Sequence, residues 1–176
     1  MPINIHLPDQ SIRELPEGAT GLDLARSIGP RLLEAALAVR VDNRLQDLSR
    51  PLPDGAQVAI VTAKDLEGLD VLRHSTAHLL AQAVKRLFPK AKVGIGPVIE
   101  DGFYYDFQVE PFFTPDDLLA IEAEMFRLAE EDQPLQREEL SKACAVQRFT
   151  ALAEPLKAEL ASELPEGETI TGYRQG

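Results

Sequence analysis

A single cysteine, Cys144, in 176 residues leaves no partner for an internal disulfide and fits a reducing compartment. No stretch approaches the roughly 18 consecutive apolar residues that span a bilayer. Met1-Pro2-Ile3-Asn4-Ile5-His6 has neither the basic flank nor the apolar run of an export signal, so the expected location is cytoplasmic, with no membrane partner. Internal repeats and low-complexity tracts are missing. Gly94-Ile95-Gly96-Pro97 is not followed by Gly-Lys-Ser/Thr, so it is no phosphate loop. Nor is there a His-Glu-x-x-His zinc motif, because Ser75, Thr76 and Ala77 fill the space between His74 and His78.

The overall charge of −11 is uneven along the chain. Residues 1–63 carry −2, residues 64–109 are neutral, and residues 110–176 carry −9. Lys85, Arg86, Lys90 and Lys92 cluster at the end of a predicted helix. They can complement that helix's dipole or contact phosphate.

Residues 1–63 alternate between strand and helix signals. Ile3–Leu7 and Ile12–Leu15 have the spacing of a hairpin around Pro8-Asp9. Thr20-Gly21-Leu22-Asp23 is a capping box opening a helix to Ile28, with Gly29-Pro30 as the stop. Another turn of helix is expected near Leu32–Ala36. Leu37–Val41, a weak Arg44–Leu48 and Gln57–Thr62 follow as strands. This order needs a mixed sheet with a helix across it, a small α+β roll. His6 reads as a surface residue. Lys64–Gly68 is charged and contains a glycine, which places a linker over 64–70 and a second domain over 71–176.

The second domain starts with a predicted helix, Asp70–Phe88, capped by Asp70 and stopped by Pro89. At about 100° per residue, Leu72, Thr76, Leu80, Val84 and Leu87 form its apolar side. His74 and His78 lie well away from that stripe, beside Ala81 and Lys85. Two histidines four apart are neighbours on a helix. They can share a metal, hold one water, or simply be solvated. A metal needs further ligands, and the remaining candidates, His6 and Cys144, are poorly placed, so no metal site is expected. Val93–Ile99 and Phe103–Phe107 form a hairpin around Asp101-Gly102, with Tyr104 and Tyr105 on opposite faces. Thr114-Pro115-Asp116-Asp117 starts a helix with Leu118, Ile121, Met125 and Leu128 as its stripe. Leu135–Glu138 is extended, Ser141–Leu152 is helical with Cys144 as a small apolar residue, and Thr169–Arg174 is a strand. The chain stops abruptly after it, as a truncation would.

Leu72-Arg73-His74-Ser75-Thr76-Ala77-His78-Leu79-Leu80, then Gly94-Ile95-Gly96-Pro97, then Ile99-Glu100-Asp101-Gly102-Phe103-Tyr104-Tyr105-Asp106-Phe107 resemble, in this order, the N-terminal region of bacterial threonyl-tRNA synthetases. Pro165–Ile170 and Tyr173-Arg174-Gln175-Gly176 fit the same family, so the likeness covers essentially the whole chain. It implies an α+β fold in two parts: a TGS domain of β-grasp type over 1–63, and an editing domain over 71–176 with an antiparallel sheet and a central HxxxH helix. It further implies hydrolysis of serine wrongly attached to threonine tRNA. The partner would be the tRNA acceptor end carrying an aminoacyl group, and no DNA.

By the same resemblance His74 and His78 are catalytic, while Tyr105 and Lys157 bind substrate. The family's Cys-x-x-x-His pair would follow beyond Gly176, leaving the editing domain incomplete at its C-terminal end. ATP, magnesium and zinc belong to the family's catalytic core, as do most of its dimer contacts, and these residues imply no cofactor of their own. Two other readings remain open. One is a TGS-type RNA- or protein-binding module without catalysis. The other is a free-standing metal-dependent aminoacyl-tRNA hydrolase.

Overall fold

A computed structural model describes residues 1–175. They form two compact units, Met1–Arg73 and a second beginning at His74.

In the first unit, alternating apolar residues make strands whose inner faces share one core. β1 (Ile3–His6) and β2 (Ile12–Leu15) pair antiparallel, with Ile3 opposite Leu15 and Ile5 opposite Arg13. β3 (Ala36–Val41) is central to β4 (Arg44–Gln46) and β5 (Val58–Thr62), both antiparallel to it. One parallel bridge, His6 to Gln57, joins the two ladders, with the His6 N–H donating to the Ala56 carbonyl at 2.9 Å. The result is a mixed sheet in the order β2-β1-β5-β3-β4.

The expected capping box is present. Asp23 N–H donates to Thr20 Oγ1 at 3.3 Å, and Thr20 N–H donates to the Asp23 carboxylate at 3.0 Å. It opens α1 (Gly21–Ile28), and α2 (Pro30–Ala35) follows. Leu24 from α1 meets Ile3, Ile5, Leu15, Val39, Val41, Leu52 and Val58 in the core. Each large side chain so buried contributes roughly 1.5–3 kcal/mol. The roll and its single covering helix layer are those expected from the sequence.

The second half begins earlier than its sequence suggests. α3 runs over Leu66–Leu87, so most of the expected linker, 64–70, is helix and Asp70 is not the cap. Asp65 is the residue that starts it. Its carbonyl takes the first helical bond from Leu69 N–H at 3.0 Å, and its carboxylate accepts from Thr62 N–H at 2.8 Å. Gly68 is not a flexible joint. A Cβ there would stand 1.9 Å from the Thr62 carbonyl oxygen, so glycine permits the close approach of helix and strand. The boundary between the units falls within α3.

The second unit contains two short antiparallel ladders. β6 (Lys92–Val93) pairs with β9 (Phe107–Gln108), and β7 (Val98–Ile99) pairs with β8 (Gly102–Phe103). α4 (Pro115–Glu130) has the Thr114–Asp117 capping box. β10 (Leu135–Leu140) pairs antiparallel with β11 (Ile170–Gln175), and between them lie α5 (Lys142–Ala151) and α6 (Pro155–Glu163).

The core here comprises Ala83, Val84, Ala91, Ile121 and Leu128, with Leu79, Leu80, Phe88, Phe107, Phe113 and Met125 packed around it. Leu72, Leu87 and Leu118, expected in apolar stripes, are exposed. On α3 the expected Val84 is buried and Leu80 packs on the core, and Ala77, Ala81 and Ala83 are buried beside them, because small side chains let neighbouring elements come close. Cys144 sits in α5 but faces solvent rather than a core.

Candidate functional site

α3 presents His74 and His78 one turn apart, with their Nε2 atoms 3.0 Å from each other. The ring centroids are 4.6 Å apart and the planes meet at 84°. Only one proton fits between the two nitrogens, so one ring donates and the other accepts. The flanking Ala77 and Ala81 are buried, so a second layer of structure covers part of the histidine side. Both histidines are nonetheless exposed to solvent. Protein packed around His78, then the charges of His74 and Lys157, push its pKa down to about 4. His78 is therefore an uncharged imidazole at pH 7, suited to orienting a hydrogen bond and weak as a base.

Tyr105 comes from a hairpin with one extra residue. Val93 pairs with Phe107 and Val98 with Phe103, so residues 94–97 face only 104–106. Gly94 N–H donates to Asp106 O at 2.9 Å and Asp106 N–H to Ile95 O at 3.0 Å, which keeps the bulged segment paired. The Tyr105 ring lies directly on Gly96, where a Cβ would be 2.3 Å from a ring carbon. It also stacks on Phe107, with centroids 5.0 Å apart. Burial and the nearby Glu154 charge raise the phenol's pKa, so it stays a neutral donor. Tyr104 points the other way and is exposed, as adjacent strand positions require.

Lys157 stands on the first turn of α6, half-buried, with Nζ 5.9 Å from the Phe149 ring centroid. Burial lowers its pKa, opposed by Glu154 and reinforced by Lys85. Its charge in turn bears on His78.

One residue of this region has no signal in the sequence. Glu154 looks like an ordinary acid before a proline, yet it is buried. Lys85 Nζ is 2.6 Å from its Oε1, and Val93 N–H donates to its Oε2 at 3.4 Å. Gln82, one turn beyond His78, has its side-chain oxygen buried without a protein partner. Such an acceptor suits a water or a substrate hydroxyl.

The basic cluster is largely engaged internally. Lys85 also donates to the Pro89 and Ala91 carbonyls, Arg86 pairs with Glu124 and Glu131, and Lys92 donates to the Ala153 carbonyl. Complementing nearby carbonyls and acids thus explains most of that cluster better than phosphate contact. Among the described residues, no three His, Cys, Asp or Glu side chains are grouped to hold a metal ion. Nor is any helix among them long and apolar enough to cross a membrane.

Residues 3–62 match the family model of the TGS domain. Over its whole length the chain is 54% identical to the threonine–tRNA ligase of Methylococcus capsulatus, covering 27% of that protein. It is 54% identical over 98% of its length to the threonine–tRNA ligase of Acidithiobacillus ferrooxidans, again covering 27%. With that of Carboxydothermus hydrogenoformans the identity is 47% over 99% of the chain. The chain thus spans about a quarter (27%) of the length of the curated relatives it matches.

Proposed function

We infer that this chain, a TGS domain plus a region matching threonine–tRNA ligases throughout, is the editing portion of such a ligase. Its substrate is serine wrongly esterified to the 3′ end of threonine tRNA, and its place of action is the cytoplasm. The parent protein attaches threonine to tRNA through parts outside these residues, which are also where its dimer contacts belong. The observation that carries the reading is a histidine pair with its Nε2 atoms 3.0 Å apart, one of them uncharged at pH 7 and under the influence of a lysine, within a chain of this ancestry.

The chemical need is specific. Threonine and serine differ by one methyl group, worth only about 1–3 kcal/mol in a binding pocket. A second site that admits serine and excludes threonine removes what the first lets through. In hydrolysis, water oxygen adds to the ester carbonyl, the ester C–O bond breaks, and the ribose oxygen leaves with a proton. His74 and the neutral His78 hold the water or the ribose hydroxyl in line. With a pKa of about 4, His78 contributes orientation rather than basicity. The Lys157 ammonium meets the developing oxyanion, and the Tyr105 phenol donates a hydrogen bond to the bound end. The TGS domain engages tRNA.

The test is binding of 3′-amino-linked seryl- and threonyl-adenosine, which resist hydrolysis, measured calorimetrically. The seryl compound binds at least about tenfold more tightly, and His74→Ala with His78→Ala removes that binding. Equal affinity for the two compounds, or seryl binding that survives loss of both histidines, contradicts the reading. Loss of tRNA binding on disrupting residues 1–63 alone, with the histidines irrelevant, would favour a binding module.

A further inference from the structure

We propose that Glu154 is a positioning residue of the histidine cleft. By holding Lys85 with one oxygen and the Val93 N–H with the other, it sets where Lys157 stands against His78.

The three elements that supply the cleft converge on this carboxylate. At about 100° per residue, Lys85 falls on the same side of α3 as His74 and His78. Its Nζ is held at 2.6 Å by Glu154 Oε1. Val93 N–H, at 3.4 Å from Oε2, belongs to the hairpin whose other arm carries Tyr105. Lys157 follows Glu154 by three residues, on the first turn of α6. The turn leading into α6 is itself fixed. Glu154 N–H donates to Phe149 O at 2.9 Å and Lys92 Nζ to Ala153 O at 2.9 Å.

Among the described residues, Glu154 is the one charged residue in the buried interior. An apolar pair of similar volume often holds such a place as well or better. Stability alone therefore gives no reason for a carboxylate here. A directional tie to an ammonium and an N–H does, because it fixes α6 along α3 as well as against it. The consequence for catalysis rests on the editing reading, while the placement of Lys157 does not.

The experiment is a double-mutant cycle read by NMR titration of His78 in the full chain. Lys157→Met removes a positive neighbour, the least of the three influences that lower the His78 pKa, so it raises the His78 midpoint by a fraction of a pH unit, roughly half. In the Glu154→Ala chain, the same Lys157→Met change leaves the midpoint where it was, because Lys157 is no longer held there. Glu154→Gln keeps the volume and an acceptor for Val93, and it likewise weakens the coupling. This variant carries the test if Glu154→Ala fails to fold. An equal shift from Lys157→Met in all backgrounds overturns the proposal. Seryl-adenosine binding on the same samples separates the two inferences. Coupling lost without any seryl binding by the unsubstituted chain keeps the positioning role and removes the editing reading. Seryl binding with coupling intact after Glu154→Ala does the reverse.

Discussion

The first unit buries Ile5, Leu24, Val39, Val58 and Val61 almost completely, and no charged residue joins them. The second unit buries Val84, Val93 and Leu128 alongside small alanines, and it encloses Glu154 with its lysine partner. Its hairpin is held by ladders of two residues each, against four to six in most strands of the first unit. Apolar burial is non-directional, so it supports a fold without aiming a particular side chain. Hydrogen bonds and ion pairs are directional, and one buried set, Glu154 with Lys85 and the Val93 N–H, ties α3, the hairpin and the start of α6 together. The contrast is between a core held by apolar burial and one that also encloses a directional ionic tie.

The largest effect separates the two units. Ile5→Ala removes a fully buried side chain and costs about 3 kcal/mol of the first unit's stability, measured by denaturant unfolding. The NMR signals of His78 keep their titration curve in that variant below its unfolding transition. A change in the His78 midpoint there would break the separation.

A smaller loss is expected from Gly96→Ala, about 1–2 kcal/mol, since the added methyl drives the Tyr105 ring from its seat. The ring's contacts to Phe107, read as nuclear Overhauser effects, weaken, and seryl-adenosine affinity drops with them. Unchanged Tyr105 contacts would show that the bulged hairpin yields instead.

Acid sharpens the comparison from another side. The folded His78 pKa of about 4 lies below the ordinary 6.5, so between those values the unfolded chain binds more protons. Stability linked to His78 is fully present above pH 6.5 and is lost as pH falls toward 4. His78→Gln flattens this loss in the second unit and leaves the first unit's acid response as it was. An identical pH profile with and without His78 would contradict its lowered pKa. The smallest effect is on the surface. Arg127, 2.6 Å from Glu124 and also paired with Glu131, is half exposed, so Arg127→Ala shifts stability by less than about 1 kcal/mol.

What could be read from the sequence was local. The capping boxes Thr20–Asp23 and Thr114–Asp117 lie within four residues of chain, and both are present as expected. The strand alternation at Ile3 and Ile5 and at Val39 and Val41 identified the first unit's core face. The start of α3 was misplaced because Asp65 and Asp70 are equally good caps on paper. Only the contact of Gly68 with the end of β5 favours the earlier one. Its apolar stripe holds at Leu80 and Val84 and fails at Leu72 and Leu87, which hydrophobic size alone had included. Packing there is set by how closely alanines allow other elements to approach. The fit of Tyr105 on Gly96 and the burial of Glu154 join residues nine and sixty-one or more apart in the chain. No spacing rule carries such information. The histidine pair itself was legible, while the uncharged state of His78 depends on neighbours that only the fold supplies.

His78 can be followed directly by NMR through a pH titration, with and without 3′-amino-linked seryl-adenosine. A midpoint near 4 that moves on adding the seryl compound, and stays put with the threonyl one, is the expected result. A midpoint near the ordinary 6.5 that neither compound changes would mean a solvated pair with no role in receiving the seryl end.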